Sequence, residues 1–340
     1  MAATQGLPSQ MKAAHLREYN KPYELVTVDV PKIKDNELLV ELRAAGFCHS
    51  DLQVIHGQFG TKLPIIPSHE PAGVIVQVGS RCGGSWKVGD RVGVLNFKNA
   101  CGQRETAGFQ HDGAFAQYLA ADPETTVLLP ASLSFEQAAP LMCAGATVWG
   151  ALEKATADLE PAATVAIVGI GGLGHLGLQF AKSLGFTTIA LDSRQAGRDL
   201  AAEVPDGLGP DLVVDSTSED AAEKILAFTK GEGVAAAVVC TDSIAANTWT
   251  LRLLRVGGVM VPLGLPPDRW QFDADVLVYR ELVIRGNYVA SAESTRRMME
   301  AVARRGVRSH VTTVELDDVP GIVDVYQDKN FRGRLVVKIC

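Results

Sequence analysis

The rhythm of apolar positions along this chain changes once, near residue 160. Before that point they fall in short alternating or compact runs bounded by Gly, Pro and Asp, at 37–42, 73–78 and 90–94. Runs of this kind, closed by turn residues, predict the strands of an irregular β-rich domain. Pro31, Pro64, Pro67, Pro71 and Pro130 argue against long helices among them. Beyond residue 160, positions 164–169 form a continuous apolar run, the pattern of a strand buried on both faces. It opens into Gly-Ile-Gly-Gly-Leu-Gly at 169–174, then into helical spacing with Leu176, Phe180 and Leu184 on one side and Gly185 as a stop. A second buried strand at 187–191 ends at Asp192, and further strands are predicted at 211–215, 234–241, 258–264 and 281–288, with helical segments between several of them. This alternation predicts a doubly wound parallel sheet. A helix at about 292–305 and a strand at 334–339 leave the rhythm and read as a return to the first domain. The expected α/β division is 1–150 with 287–340, and 151–286.

Composition narrows the partners. With 340 residues and 47% hydrophobic positions the chain can bury two cores. A net charge of -7 points away from nucleic acid and anionic membrane, and no apolar run reaches the roughly 18–20 residues of a membrane helix. The first ten residues lack the apolar core of a secretory signal, so a cytoplasmic location is expected. No two of the six cysteines (Cys48, Cys82, Cys101, Cys143, Cys240, Cys340) form a CxxC pair, and thiols rather than a disulfide framework are expected.

The glycine-rich turn meets three contextual conditions for a dinucleotide site: it follows a buried strand, opens a helix, and has an acidic residue at the end of the next strand. Gly169 permits the tight turn, Gly171 and Gly172 bring the backbone near a pyrophosphate, and Gly174 lets helix and sheet pack closely. Free N–H groups and the helix dipole favour the diphosphate. Asp192 would accept hydrogen bonds from the adenosine ribose and repel a 2′-phosphate, favouring NAD over NADP. Arg194 and Arg198 lie close enough in sequence to soften that preference.

Three segments carry metal-ligating types: Gly46-Phe-Cys-His-Ser-Asp51, Pro67-Ser-His-Glu-Pro-Ala-Gly73 and Met142-Cys-Ala-Gly-Ala-Thr147. Catalytic zinc takes three protein ligands and leaves a fourth position open, and Cys48, His69 and Cys143 would supply such a Cys₂His set. Spacing alone says little here, because the three are not sequence neighbours. Taken with the 169–174 turn and the terminal Phe331-Arg-Gly-Arg334, however, the segments occur in the order seen in zinc-containing medium-chain alcohol dehydrogenases. From about residue 11 onward the chain resembles that family, most of all its yeast and bacterial branch.

The resemblance implies a GroES-like catalytic domain with a Rossmann cofactor domain, hydride transfer between an alcohol and NAD(H), and self-association as a dimer or tetramer. Residue by residue, it puts Cys48, His69 and Cys143 on a catalytic zinc with Glu70 as a transient ligand. Asp51 would orient His69, His49 and Arg334 would meet the pyrophosphate, Thr147 would face the nicotinamide, and Ser50 would pass the alcohol proton to the cofactor ribose. Read without the family, Asp51 is equally a helix cap, Thr147 a helix-face hydroxyl and Arg334 a surface charge.

Departures from the family pattern add expectations. The four-cysteine lobe that holds a structural zinc in many members is shortened to 100–113 and keeps Cys101 only, so a single, catalytic zinc is expected. Gln53 stands where several relatives end the proton relay in histidine, with His56 nearby as an alternative. Phe59 and Asn96 fall at pocket-lining positions, and Asn96 in place of an aromatic would open the cleft to a larger or more polar substrate. The competing readings are a reductase of activated C=C bonds, which generally lacks the zinc ligands, and a polyol dehydrogenase, which tends to carry a carboxylate at the Cys143 position.

Overall fold

The computed structural model describes residues 6–95, 97–100 and 103–339. The chain forms two compact units, Met1–Cys143 with Val311–Cys340, and Ala144–His310. Among the described residues no helix is long and apolar enough to cross a membrane.

The first unit is built on a seven-stranded sheet. In spatial order its strands are Val311–Glu315, Arg334–Lys338, Leu38–Phe47, Pro71–Val78, Arg91–Val94 and Thr126–Leu128, with Tyr118–Ala121 also paired to the central strand. The central pair is antiparallel, running from Leu38 opposite Val78 to Ala45 opposite Pro71, with two irregularities that bend it. Gly73 is required there: a Cβ would lie 2.1 Å from the Glu41 carbonyl oxygen. Apolar side chains from all sides close over this sheet, including Leu38, Val40, Leu42, Phe47, Ile75, Phe115, Leu335 and Val337. As the prolines predict, the helices here are short. His49–Ile55 follows the central strand directly, and Phe135–Ala138 leads through the 3-10 turn Ala139–Met142 to Cys143.

The second unit holds a six-stranded parallel sheet in the spatial order Leu212–Asp215, Thr187–Asp192, Thr164–Val168, Val234–Val239, Leu254–Pro262 and Val283–Ile284. Numbered along the chain this is 3-2-1-4-5-6, the doubly wound dinucleotide-binding order, with its switch point beside the first strand. The central strands are buried throughout because helices cover both faces. The helix Gly174–Ser183 starts where that first strand ends.

Three boundaries differ from the sequence reading. The helix Ala144–Ala155 opens the second unit instead of closing the first. The helix Ala292–Arg305 also belongs to the second unit, where Ser294 and Arg297 bond Glu153 and Met298 and Val302 are buried. The chain therefore returns to the first unit at Val311, not 287. The strand expected over 281–288 is reduced to Val283–Ile284, and a little beyond it Val289 takes a left-handed conformation (φ 51), where a β-branched residue is strained.

Gly73→Ala would force a methyl into a backbone oxygen at the centre of the first sheet. A loss of about 2–3 kcal/mol is expected, on the scale of overpacked cores, read as a lowered thermal midpoint; an unchanged midpoint would contradict this packing.

Candidate active site

The central strand of the first unit delivers Cys48 to its end, and backbone bonds bring the 67–70 segment beside it. Gly46 N–H donates to the Glu70 carbonyl at 3.1 Å, and Ser68 Oγ donates to the Gly46 carbonyl at 2.8 Å. Ser68 itself is left-handed (φ 77), a strained position of the kind that concentrates at functional sites. It persists because the backbone of Gly108 and Gly113 closes on it; a Cβ on Gly113 would lie 2.0 Å from the Ser68 carbonyl oxygen. The 3-10 turn, with Pro140 in its first turn, aims Cys143 at the same point.

One ligand atom each from Cys48, His69, Glu70 and Cys143 falls within 4.8 Å of every other, and among the described residues this is the one such group of three or more. Cys48, His69 and Glu70 are buried and Cys143 is half-buried. The two thiols share a hydrogen bond that holds Cys48 well below the ordinary thiol range and Cys143 well above it. Burial pushes the Glu70 carboxyl up to about 7, against the pull of Arg334. Glu70 Oε2 is buried without a hydrogen-bond partner. Two sulfurs, an imidazole nitrogen and an orphaned carboxylate oxygen in a buried cluster fit a zinc-type divalent ion.

Asp51 lies beneath this group, fully buried. Its Oδ2 accepts the Cys48 N–H at 2.8 Å and its Oδ1 accepts the Ser68 N–H at 3.1 Å, while His69 Nδ1 stands 3.4 Å from Oδ1. That last spacing is a charge contact more than a well-aligned hydrogen bond. Burial alone would lower the His69 pKa, but the charges of Asp51 and Cys48 outweigh it and hold it well above the usual value. Asp51 thus caps the His49–Ile55 helix in a capping box and also faces the imidazole.

Arg334, buried at 3% exposure, donates Nη2 to Glu70 Oε1 at 2.5 Å. Gly46 makes room for the acceptor, since a Cβ there would lie 1.8 Å from Glu70 Oε2. His49 is exposed at the helix start with its ring 6.4 Å from Tyr326, and Ser50 beside it is half-buried. Gln53 is buried in the same helix, while His56 is exposed and meets Asn20 Oδ1 at 2.9 Å. The Phe59 ring packs on Phe109 at 5.1 Å, and Phe109 packs edge-on against His69 at 5.3 Å. Asn96 and Cys101 lie outside the described residues. Phe109 and Tyr326 were not singled out from sequence, where each is one aromatic among many.

In the second unit, Gly169 adopts φ 87 and Gly174 presses on it so closely that a Cβ would lie 2.0 Å from the Gly169 carbonyl oxygen. Gly171 and Gly172 form the turn between them. Asp192 Oδ2 accepts the Ile170 N–H at 2.6 Å, and Oδ1 accepts the Arg194 N–H at 2.8 Å. The Arg194 guanidinium lies on the same carboxylate at 3.3 Å with its side chain 62% exposed, whereas Arg198 is engaged by Asp215. Thr147 sits half-buried on the Ala144–Ala155 helix, its carbonyl accepting from Asn287 Nδ2 at 2.9 Å.

Asp51→Asn keeps the shape and removes the charge facing His69. Metal affinity, measured by chelator competition, should fall about 10–100-fold, the usual effect of removing such a partner; an unchanged affinity would reduce Asp51 to a helix cap.

Residues 34–131 match the model of the alcohol dehydrogenase GroES-like domain and residues 172–304 that of the zinc-binding dehydrogenases. The chain is 36% identical to an alcohol dehydrogenase of Geobacillus stearothermophilus, over 97% of this chain and all of that one. It is 32% identical to an alcohol dehydrogenase of Rhizobium meliloti, over 97% of this chain and 99% of the relative. The crystal structure of the alcohol dehydrogenase of Aeropyrum pernix superposes with a TM-score of 0.85 at 30% identity, covering 96% of this chain and 100% of that one. With the ligand cluster and the 3-2-1-4-5-6 sheet already described, the chain belongs to the zinc-containing alcohol dehydrogenases, medium-chain enzymes that interconvert alcohols and carbonyl compounds.

Proposed function

We propose that the chain transfers hydride between an alcohol and NAD(H) at one zinc held by Cys48, His69 and Cys143, with Glu70 as an exchanging fourth ligand. The buried convergence of four ligand atoms carries this reading. A zinc held by these residues would supply Lewis acidity, lowering the pKa of the alcohol towards neutral.

The chain's own groups do the rest. Asp51 fixes the imidazole ring, so the nitrogen turned to the thiols keeps its direction. Arg334 balances the Glu70 carboxylate, which lets a second negative group sit beside the Cys48 thiolate. Phe109 and Phe59 give the ligand cluster an apolar flank that favours exclusion of water. Ser50, half-buried two residues after Cys48, is the hydroxyl proposed to take up the alcohol proton. Its onward route does not end in an ionisable group at Gln53. Thr147, His49 and Arg334 are proposed as cofactor contacts, and Phe59 and Asn96 as pocket residues.

One zinc per chain is proposed because 100–113 keeps a single cysteine, and one thiol cannot close a tetrahedral site. Metal removal should abolish oxidation across a panel of alcohols, and zinc alone should restore it, with elemental analysis giving one ion per chain. Full activity after metal removal, activity confined to activated C=C substrates, or two tightly held zincs would overturn the corresponding part of this reading.

NAD is proposed over NADP. The buried Asp192 carboxylate would repel a 2′-phosphate, and the Arg194 guanidinium on it offsets that only in part because it is mostly exposed. NAD should exceed NADP in kcat/KM by about tenfold or more, the scale of one unfavourable charge contact. Arg194→Ala should widen the ratio. A native preference for NADP would refute the assignment, and an unchanged ratio in the variant would remove Arg194 from it.

A further inference from the structure

His175, the second residue of the Gly174–Ser183 helix, is buried at 1% exposure yet bonds through both ring nitrogens. Nδ1 lies 2.8 Å from the Gly171 carbonyl oxygen in the glycine-rich turn. Nε2 lies 3.2 Å from the His310 backbone N–H and 3.2 Å from Ser309 Oγ. A backbone N–H can only donate, so Nε2 is the acceptor; Nδ1 therefore carries the proton and donates to Gly171. One turn on, Gln179 continues the clamp, with Nε2 donating to the Arg308 carbonyl at 2.7 Å and Oε1 accepting the Arg308 N–H at 2.9 Å.

The Gly171 carbonyl also accepts the ordinary helical bond from the His175 N–H at 3.2 Å. With two donors drawing that oxygen towards the helix, the Gly171–Gly172 peptide plane is fixed. In a trans peptide the N–H points opposite to the C=O, so the Gly172 N–H is held outward at the helix N-terminus, the direction in which such turns meet a diphosphate. Glycine on both sides of this peptide leaves it otherwise free to rotate. We propose that His175 is a positioning residue for cofactor binding: anchored on the 308–310 segment, it holds the Gly171–Gly172 peptide in its phosphate-receiving orientation. This inference rests on the assignment of the 169–174 turn to the cofactor diphosphate.

The variants separate the two ends of the imidazole. His175→Leu removes both bonds at similar volume. His175→Asn keeps an amide N–H at the position of Nδ1 and gives up the reach to 309–310. His175→Gln reaches in the other sense. Binding of ADP-ribose and of adenosine, measured by calorimetry on the zinc-loaded enzyme, is the readout, with kcat and the alcohol KM alongside. His175→Leu should weaken ADP-ribose about tenfold, the scale of one hydrogen bond that orients a donor to a charged group. Adenosine binding and kcat at saturating cofactor should hold, and His175→Asn should recover part of the loss, less than the anchored imidazole provides. Equal loss of adenosine and ADP-ribose, no rescue by Asn, or an unchanged affinity in His175→Leu would overturn the inference while leaving the cofactor assignment standing. Failure of the wild-type enzyme to bind ADP-ribose would overturn that assignment and the inference with it.

Discussion

A carboxylate without solvent is the constraint on which the ligand cluster is built. Asp51 is fully buried, and an ionised group in that position survives only if its lone pairs are filled. They are filled by the backbone of the two segments that carry ligands: the N–H of Cys48 and the N–H of Ser68, with His69 Nδ1 as the third neighbour. The same acid therefore closes the first turn of the His49–Ile55 helix, joins 46–51 to 67–70 and sets the imidazole. Removing it would expose two orphaned buried donors as well as a free ring.

Charge balance extends the constraint outward. The Cys48 thiol is held well below its ordinary range while burial works against the Glu70 carboxylate, and the arginine that faces both is Arg334, on a strand that begins 286 positions after Cys48 in the sequence. The strand Arg334–Lys338 runs antiparallel to the strand ending at Phe47, so Arg334 enters beside Cys48. The Arg334 pKa is raised because Glu70 and Cys48 outweigh the burial that opposes it. Gly46 completes the arrangement by leaving space for the Glu70 carboxylate. The C-terminal segment thus supplies the counter-charge of the ligand cluster, a task invisible in its local sequence.

Much of this was legible in the sequence, for physical reasons. Buried parallel strands have to be continuously apolar, Gly169 takes a left-handed turn and Gly174 stands where no Cβ fits, so strand, turn and helix could be read locally. Asp51 was legible because a capping box and a histidine partner both call for a short acid at that spacing. The unit boundaries were not. An amphipathic pattern at 292–305 shows that a helix has an apolar face but not which sheet lies opposite, and that choice was decided by partners such as Glu153. The strand expected over 281–288 starts late because Glu281 instead closes the Ala274–Arg280 helix in a left-handed conformation (φ 52), which no propensity assigns to that residue. The Phe59–Phe109–His69 contacts join positions up to 50 residues apart and leave no periodic trace. For Arg334, family position suggested a phosphate contact, whereas the side chain is bonded to Glu70.

The two units solve the same problem with the same device. In the second, Asp192 accepts the Ile170 N–H just as Asp51 accepts that of Cys48, a side chain pinning the backbone of a turn. The difference lies in what remains. The backbone and imidazole contacts around Asp51 come from buried groups, so that acid is committed to structure. Asp192 keeps its second contact on each oxygen for the Arg194 guanidinium, at the long distance of 3.3 Å and mostly in water. Bonds of that length and exposure are cheap to exchange. A ribose hydroxyl could displace the guanidinium without disturbing the Ile170 anchor, so Asp192 can hold the turn and still recognise a ligand.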